Sequence, residues 1–252
     1  MSLPKPYYQD QFATIYHGDC REILTAYPDG AFDMVFTDPP YGHNNNNGDL
    51  IHNREKALGQ KPTKASEARP IANDGPEANE LVRWFFKEAN RLLKPGCCCC
   101  CCCCGGGGPD PQFARWSLWL DEAIGFKQMV IWDKPGLGMG WHYRRSYETV
   151  LVAEKPGAAC RWHGGNTTSN VVRFPKILPS QFDHPTPKPL ELPSFFIGLH
   201  AEDGDLVLDP FMGAGTTLVA AKSRGIQSVG IEIEERYCAM AVERLRQEVL
   251  VL

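Results

Sequence analysis

The chain is expected to fold as an α/β protein on a mostly parallel, twisted sheet with helices on both faces. Three observations predict this. Short apolar runs of strand character alternate with helical stretches along the chain. Two of those runs, 33–37 and 206–209, are closed by an acid followed by proline, Asp38 just after the first and Asp209 at the end of the second. The second opens through a glycine-rich turn into a helix and a further strand, a β-α-β unit.

At 252 residues, the chain can build one α/β domain with a full core and some insertions, so residues 1–252 are read as a single domain. A hydrophobic fraction of 43% is that of a globular protein. No apolar run reaches the roughly 18 residues of a membrane span. Met1 to Pro6 lacks the apolar core of a signal peptide. A soluble cytoplasmic protein is expected.

The formal charge of −4 speaks against a protein coated with nucleic acid. Residues 134–176 run the other way, with seven basic residues against Glu148 and Glu154. A polyanion-facing segment and a solvated charged face both fit that surplus. Of the eleven cysteines, Cys97 to Cys104 are contiguous and Cys20, Cys160 and Cys238 are scattered. Metal sites use separated pairs brought together by turns, which an unbroken run cannot supply. No metal centre is expected, and in a reducing compartment no disulfide.

Taken in order, Ile15 to His17 end a short strand in the Gly18-Asp19 turn, and residues 21–27 form a short helix. The strand at 33–37 follows, then Asp38-Pro39-Pro40-Tyr41-Gly42. Two prolines donate no N–H and end any ladder. They leave an acid at the carboxyl end of a buried strand, the edge where open α/β sheets bind ligands. Alone, this could be an ordinary strand-ending turn.

Residues 43–80 are polar and lack an apolar period, which suggests a mobile lid over the site. Glu80 to Leu93 read as an amphipathic helix with Leu81, Phe85, Ala89 and Leu92 on one stripe. Lys94-Pro95-Gly96 stop it. The chain should then return to a buried strand, and the cysteine run occupies that place, with Gly105 to Gly108 as its exit turn. Phe113 to Ile124 suggest another helix, and 128–132 and 148–153 suggest strands. Between those strands, Gly136 to Arg145 are glycine-rich, basic and aromatic, the ingredients of nucleic-acid contact or of a plain hairpin connection. Residues 155–180 read as irregular and basic, so 134–180 is the candidate recognition insertion.

The second motif decides between these readings. Leu206 to Asp209 form a strand, Pro210-Phe211-Met212-Gly213-Ala214-Gly215-Thr216 a turn, Leu218 to Arg224 a helix, and Ser228 to Glu232 a second strand. Glycines let the backbone approach a ligand, and an acid 17 residues after Gly215 can take two ribose hydroxyls. The loop lacks the lysine of a nucleotide-triphosphatase loop.

Asp38-Pro39-Pro40-Tyr41 together with Asp209-Pro210-Phe211-Met212-Gly213-Ala214-Gly215 resembles the S-adenosylmethionine-dependent DNA amino-methyltransferases. With the catalytic motif first and the cofactor motif last, the order resembles that family's permuted beta arrangement. His184 to Pro189 resemble its flank before the cofactor strand. The resemblance implies a Rossmann-like methyltransferase fold and S-adenosylmethionine as cofactor. It places Asp209, Phe211, Gly213, Gly215 and Thr216 at the methionine portion, Glu232 at the ribose, Asp19 and Cys20 at the adenine, and Thr186 and Lys188 nearby. For Thr186 and Lys188, a plain proline-rich loop fits equally well.

The same resemblance makes Asp38, Pro39, Pro40 and Tyr41 the catalytic group. The Asp38 carboxylate and the Pro39 carbonyl accept both N–H groups of an exocyclic amine, and Tyr41 stacks on a base flipped out of the duplex. Duplex DNA is the implied partner, with a homodimer and a restriction endonuclease as further partners. An Asp before Pro-Pro-Tyr goes mostly with adenine N6 in this family. Cytosine N4 is the alternative, followed by an RNA substrate and a catalytically silent DNA-binding module.

Overall fold

The computed structural model describes residues 2–42, 59, 72–103, 112–136, 146–175 and 188–247. Its strands are β1 (Tyr8–Gln9), β2 (Ala13–His17), β3 (Phe32–Thr37), β4 (Leu93–Cys103), β5 (Phe126–Asp133), β6 (Tyr147–Glu154), β7 (Val171–Arg173), β8 (Leu206–Asp209) and β9 (Gln227–Glu232). The helices are α1 (Cys20–Leu24), α2 (Ala78–Leu92), α3 (Gln112–Ala123), α4 (Glu191–His200), α5 (Thr216–Lys222) and α6 (Glu235–Arg246). The described strands form one sheet in the order β1-β2-β9-β8-β3-β4-β6-β5-β7. From β2 through β4 all neighbours are parallel. Strand β6 runs antiparallel to both β4 and β5. An α/β fold with a mixed, largely parallel sheet is what the sequence predicted.

Alternation along the strands explains the layers, since successive side chains point to opposite faces. Val35, Leu208 and Val229 pack with Phe85, Phe86 and Leu92 of α2 and with Trp116 and Leu120 of α3. Met34, Phe36 and Val207 pack on the other face with Phe196 and Ile197 of α4 and Ala220 of α5. Burying one such large side chain contributes about 1.5–3 kcal/mol.

The cysteine run obeys the same rule. Strand β4 already includes Lys94-Pro95-Gly96 and continues through Cys97 to Cys103, with Cys99 and Cys101 in the first layer and Cys100 and Cys102 in the second. It pairs in register with β3, Met34 opposite Cys98 and Thr37 opposite Cys101. Burial raises the Cys99, Cys100 and Cys102 thiols well above their ordinary range, which keeps them protonated. At the opposite end of the sheet, buried Asp33 takes Lys94 at 2.7 Å, Arg161 at 3.3 Å and the Leu206 N–H at 3.1 Å, tying the starts of β3, β4 and β8 together.

Several sequence expectations need correction. Residues 155–180 were expected to be irregular, yet Val171–Arg173 form β7, parallel to β5. Three residues flanked by Asn170 and Phe174 are too short for a periodicity signal. Helix α1 ends at Leu24 rather than at residue 27, with Thr25 as its C-cap. Residues 78–80, assigned to the lid, already belong to α2. Strand β1 and helices α4 and α6 were not anticipated. The rest of the proposed lid, apart from Gly59 and residues 72–77, lies outside the described residues, as do Gly105 to Gly108 and residues 137–145.

Candidate active site

The two acid-ended turns meet because of the strand order. From β3 the chain passes through α2 to β4 on one side, and from β8 through α5 to β9 on the other. Helices α2 and α5 lie on opposite faces. The loops after β3 and β8 therefore diverge, leaving a crevice at the carboxyl ends of adjacent strands, the switch point where open sheets bind ligands. That cleft is lined by Asp38, Pro39, Pro40 and Tyr41 on one side and by Asp209 through Ala214, Thr216 and Glu232 on the other. Gly18, Asp19, Cys20 and Lys188 complete it. Thirteen of the fourteen sequence-predicted site residues are thus described at or beside one cleft. Gly215 forms the N-cap directly behind the lining, and Thr186 lies outside the described residues.

Backbone conformation shapes the cofactor side. Gly213 and Gly215 have φ of 50° and 75°, the left-handed region that a side chain disfavours. A Cβ on Gly215 would lie 2.7 Å from that of Ala241, so α6 can pack against the turn only with glycine there. Asp209 is buried, and both of its carboxylate oxygens are engaged. It accepts from Thr37 Oγ1 at 2.8 Å, from Thr217 Oγ1 at 2.6 Å and from the Phe211 N–H at 3.2 Å. Burial pushes its carboxyl up to about 7 against the pull of those donors. Asp209 therefore clamps the turn.

Glu232 has capacity left. It accepts from the Gly213 N–H at 3.0 Å and the Glu234 N–H at 2.8 Å. A carboxylate has about four lone-pair sites, enough for those two donors and a diol. Burial raises its carboxyl, with the two N–H groups opposing. Its backbone carbonyl accepts from the Gly18 N–H at 2.9 Å, which brings the β2 turn to the same edge. There Asp19 caps α1 through the Arg21 N–H at 2.8 Å and pairs with the Arg21 guanidinium at 2.5 Å. Those Arg21 hydrogen bonds hold the Asp19 carboxyl below its usual range. Cys20 is buried beside it, and burial pushes its thiol up to about 12. A glycine turn, a hydroxyl-binding acid and a small apolar wall fit an adenosine-bearing cofactor.

On the other side, Asp38 is a quarter exposed and doubly contacted. Its Oδ2 lies 2.7 Å from Lys188 Nζ, and its Oδ1 accepts from the Tyr41 hydroxyl. Burial raises the Asp38 carboxyl, and the Lys188 ammonium works against that rise. Lys188 also donates to the Tyr41 hydroxyl at 3.2 Å. Because ammonium is donor-only, the Tyr41 oxygen accepts from it and gives its own proton to Asp38. Lys188, for which the sequence left two readings, thus sits on the predicted catalytic acid.

Supports that the sequence did not announce hold Tyr41 in place. Asp74 accepts from the Tyr41 and Gly42 N–H groups at 2.9 and 2.8 Å. The Gln112 amide donates to the Tyr41 carbonyl at 2.8 Å, and the Trp116 ring stacks on that of Tyr41 with centroids 5.9 Å apart. Behind the cofactor turn, Arg244 donates to the Ala214 carbonyl at 2.6 Å and to the Thr216 hydroxyl at 3.0 Å. None of these residues stands near its partner in sequence, so no local pattern points to them.

The basic surplus of 134–176 has a different use where it is described. Lys134 pairs with Glu148, Arg161 with Asp205 and Arg173 with Asp133. Lys155 donates to the Asn90 and Leu93 carbonyls at the end of α2. Arg144, Arg145 and Lys176 lie outside the described residues.

A glycine turn and an acidic Pro-Pro-Tyr turn meeting at one switch point define a transferase of the Rossmann-like methyltransferase class. The N6/N4 family model described as DNA methylase matches residues 32–243, and the chain belongs to that family. It is an S-adenosylmethionine-dependent DNA methyltransferase acting on an exocyclic amine of a base. The chain is 27% identical to the type II methyltransferase M2.DpnII of Streptococcus pneumoniae, over 98% of this chain and 94% of that protein. It is 25% identical to the DNA adenine methyltransferase YhdJ of Escherichia coli, over 92% of this chain and 82% of the relative. Among solved structures, TTHA0409 of Thermus thermophilus, described as a putative DNA modification methylase, aligns with a TM-score of 0.66 at 25% identity. That alignment covers 94% of this chain and 96% of the other. Among the described residues, no helix is long and apolar enough to cross a membrane.

Proposed function

We propose that the chain methylates the N6 amine of an adenine flipped out of duplex DNA, with Asp38, Pro39, Pro40 and Tyr41 as the catalytic group. The observation that carries this reading is the shared cleft. The Asp38 carboxylate and the glycine turn at Gly213 face one space although they are far apart in sequence. Bound S-adenosylmethionine supplies the methyl group on a cationic, already electrophilic sulfur. Glu232 holds the ribose hydroxyls, Asp19 and Cys20 flank the adenine, and Phe211, Gly213, Gly215 and Thr216 border the amino-acid portion. Asp209 keeps the turn in shape, and Lys188 stands near.

The chain's task is to make the base amine nucleophilic. Its lone pair is delocalised into the ring, and two acceptors oppose that. Asp38 and the Pro39 carbonyl each take one N–H, draw the nitrogen toward a pyramidal state and turn its lone pair toward the glycine turn. Two prolines fix the acceptors in advance, so little reorganisation is needed. Alignment supplies much of the rate.

Adenine is favoured over the cytosine N4 amine by the acid before Pro-Pro-Tyr and by the likeness to YhdJ, named an adenine methyltransferase. Digesting DNA from cells that express the protein and identifying the modified nucleoside tests this. N6-methyladenine is expected, and N4-methylcytosine would reject the choice of base.

Residues 43–77 are read as a lid and 134–180 as the region that reads the target sequence, both within one catalytic domain. A paired restriction endonuclease is proposed from the sequence resemblance alone. A homodimer is also proposed. Sedimentation, with and without DNA, measures its stoichiometry.

A further inference from the structure

Two residues from the first part of the proposed recognition segment, Lys134 and Glu148, join a row of charges that ends on Asp38. Lys134 follows β5, Glu148 is the second residue of β6, and Asp38 follows β3, all at one end of the sheet. Lys134 Nζ lies 2.6 Å from Glu148 Oε1, and Lys188 Nζ lies 3.3 Å from Glu148 Oε2 and 2.7 Å from Asp38 Oδ2. Four charges thus alternate in a row, from Lys134 through Glu148 and Lys188 to Asp38. All four are largely shielded, with 17%, 14%, 10% and 25% of their side chains exposed.

This row sets a problem for the reaction. Asp38 is engaged by an ammonium and by the Tyr41 hydroxyl, where the target amine must donate. A full cation holds a carboxylate more strongly than a neutral amine does. Lys188 must therefore withdraw, yet a shielded ammonium with no anion beside it is costly. The second carboxylate is already within ion-pair reach, and Lys134 balances it while Lys188 stands on Asp38.

We propose that Glu148 is a positioning residue that receives the Lys188 ammonium as the target amine takes its place on Asp38. The charge on Glu148 frees the acceptor without stranding a cation. Without it, Lys188 stays on Asp38 and competes with the substrate. The inference rests on Asp38 being the acceptor of the target amine.

The experiment compares wild type with Glu148→Gln, Glu148→Asp, Lys188→Met, Glu148→Gln/Lys188→Met and Asp38→Ala. It measures single-turnover methylation of a duplex oligonucleotide and S-adenosylmethionine binding. Glu148→Gln should slow transfer about tenfold or more while cofactor Kd stays within about twofold. Glu148→Asp should fall between it and wild type. Because Glu148 acts through Lys188, the double variant should be no slower than Lys188→Met alone. A wild-type rate in Glu148→Gln, multiplying losses in the double variant, or a parallel loss of cofactor affinity would each overturn the proposal. If Glu148→Gln fails to fold, Glu148→Asp carries the same comparison, and multiplying losses with Lys188→Met again count against it. Transfer by Asp38→Ala would instead reject the underlying reading of Asp38. An inactive Asp38→Ala beside a normal Glu148→Gln rejects the inference alone.

Discussion

The Thr37 hydroxyl donates to the Asp209 carboxylate at 2.8 Å, joining the last residue of β3 to the last residue of β8. The residue before Asp38, the proposed catalytic acid, is thereby bonded to the first residue of the glycine turn. Catalytic and cofactor halves of the cleft share one rigid edge, and consequences for activity, stability and pH follow from it.

Asp38→Ala removes the carboxylate acceptor but none of the cofactor turn. Methyl transfer to duplex DNA should fall by about 10²-fold or more, a typical scale for losing such a group, with cofactor affinity nearly unchanged. Radiolabelled methyl transfer and equilibrium binding on one preparation check both halves. Near-normal transfer would remove Asp38 from the mechanism.

Asp74→Ala leaves the Tyr41 and Gly42 N–H groups without their acceptor. An unsatisfied buried donor costs about 1–3 kcal/mol, so the urea midpoint and the transfer rate should both drop. Asp74→Asn keeps an oxygen at Oδ1 and should recover much of the loss. Equal damage from both variants would show that the charge, not the acceptor, matters.

Arg244 can only donate, so the Thr216 oxygen accepts from it and the Thr216 proton is free to point into the cleft. If that proton meets the cofactor's amino-acid carboxylate, Thr216→Val should weaken S-adenosylhomocysteine binding by about tenfold, the scale of one hydrogen bond. Methylthioadenosine, which lacks the amino acid, should bind as before. Calorimetry on the two ligands separates a lost contact from a damaged turn, which would weaken both.

Asp209 gives a pH signature. Its folded-state carboxyl is pushed up to about 7 from an ordinary 3.8, so the folded chain holds this proton more tightly than the unfolded chain does. Stability from this group is therefore present at low pH and declines as pH rises from about 4 to about 7. Relative to Asp209→Asn, wild type should lose urea stability across that window. A difference between the two that stays flat with pH would contradict the raised value.

Much of the fold could be read from the chain because its signals are local. The Leu81, Phe85, Ala89 and Leu92 stripe announced α2, and Lys94-Pro95-Gly96 announced its end. Even the cysteine run reads as a strand, since a helix ending there leaves the chain to re-enter the sheet. Helix α4 carried little signal, as its Leu192, Phe196 and Ile197 sit in a sequence with few polar positions to mark a face. The Asp38 and Gly213 turns were legible because special backbone leaves special residues behind. The supports Asp74, Gln112, Glu148 and Arg244 were not, because ordinary acids, amides and cations act there only through partners brought close by folding.

The chain alone determined the β-α-β unit, the two acid-ended turns and the class of chemistry, because each depends on residues a few positions apart. Only the tertiary structure decided that Lys188 stands on Asp38 and that Lys134 and Glu148 back it. The physical reason is strand order: placing β4 between β3 and β6 brings three distant segments to one end of the sheet. Charges spread along the sequence there become neighbours at ion-pair distance.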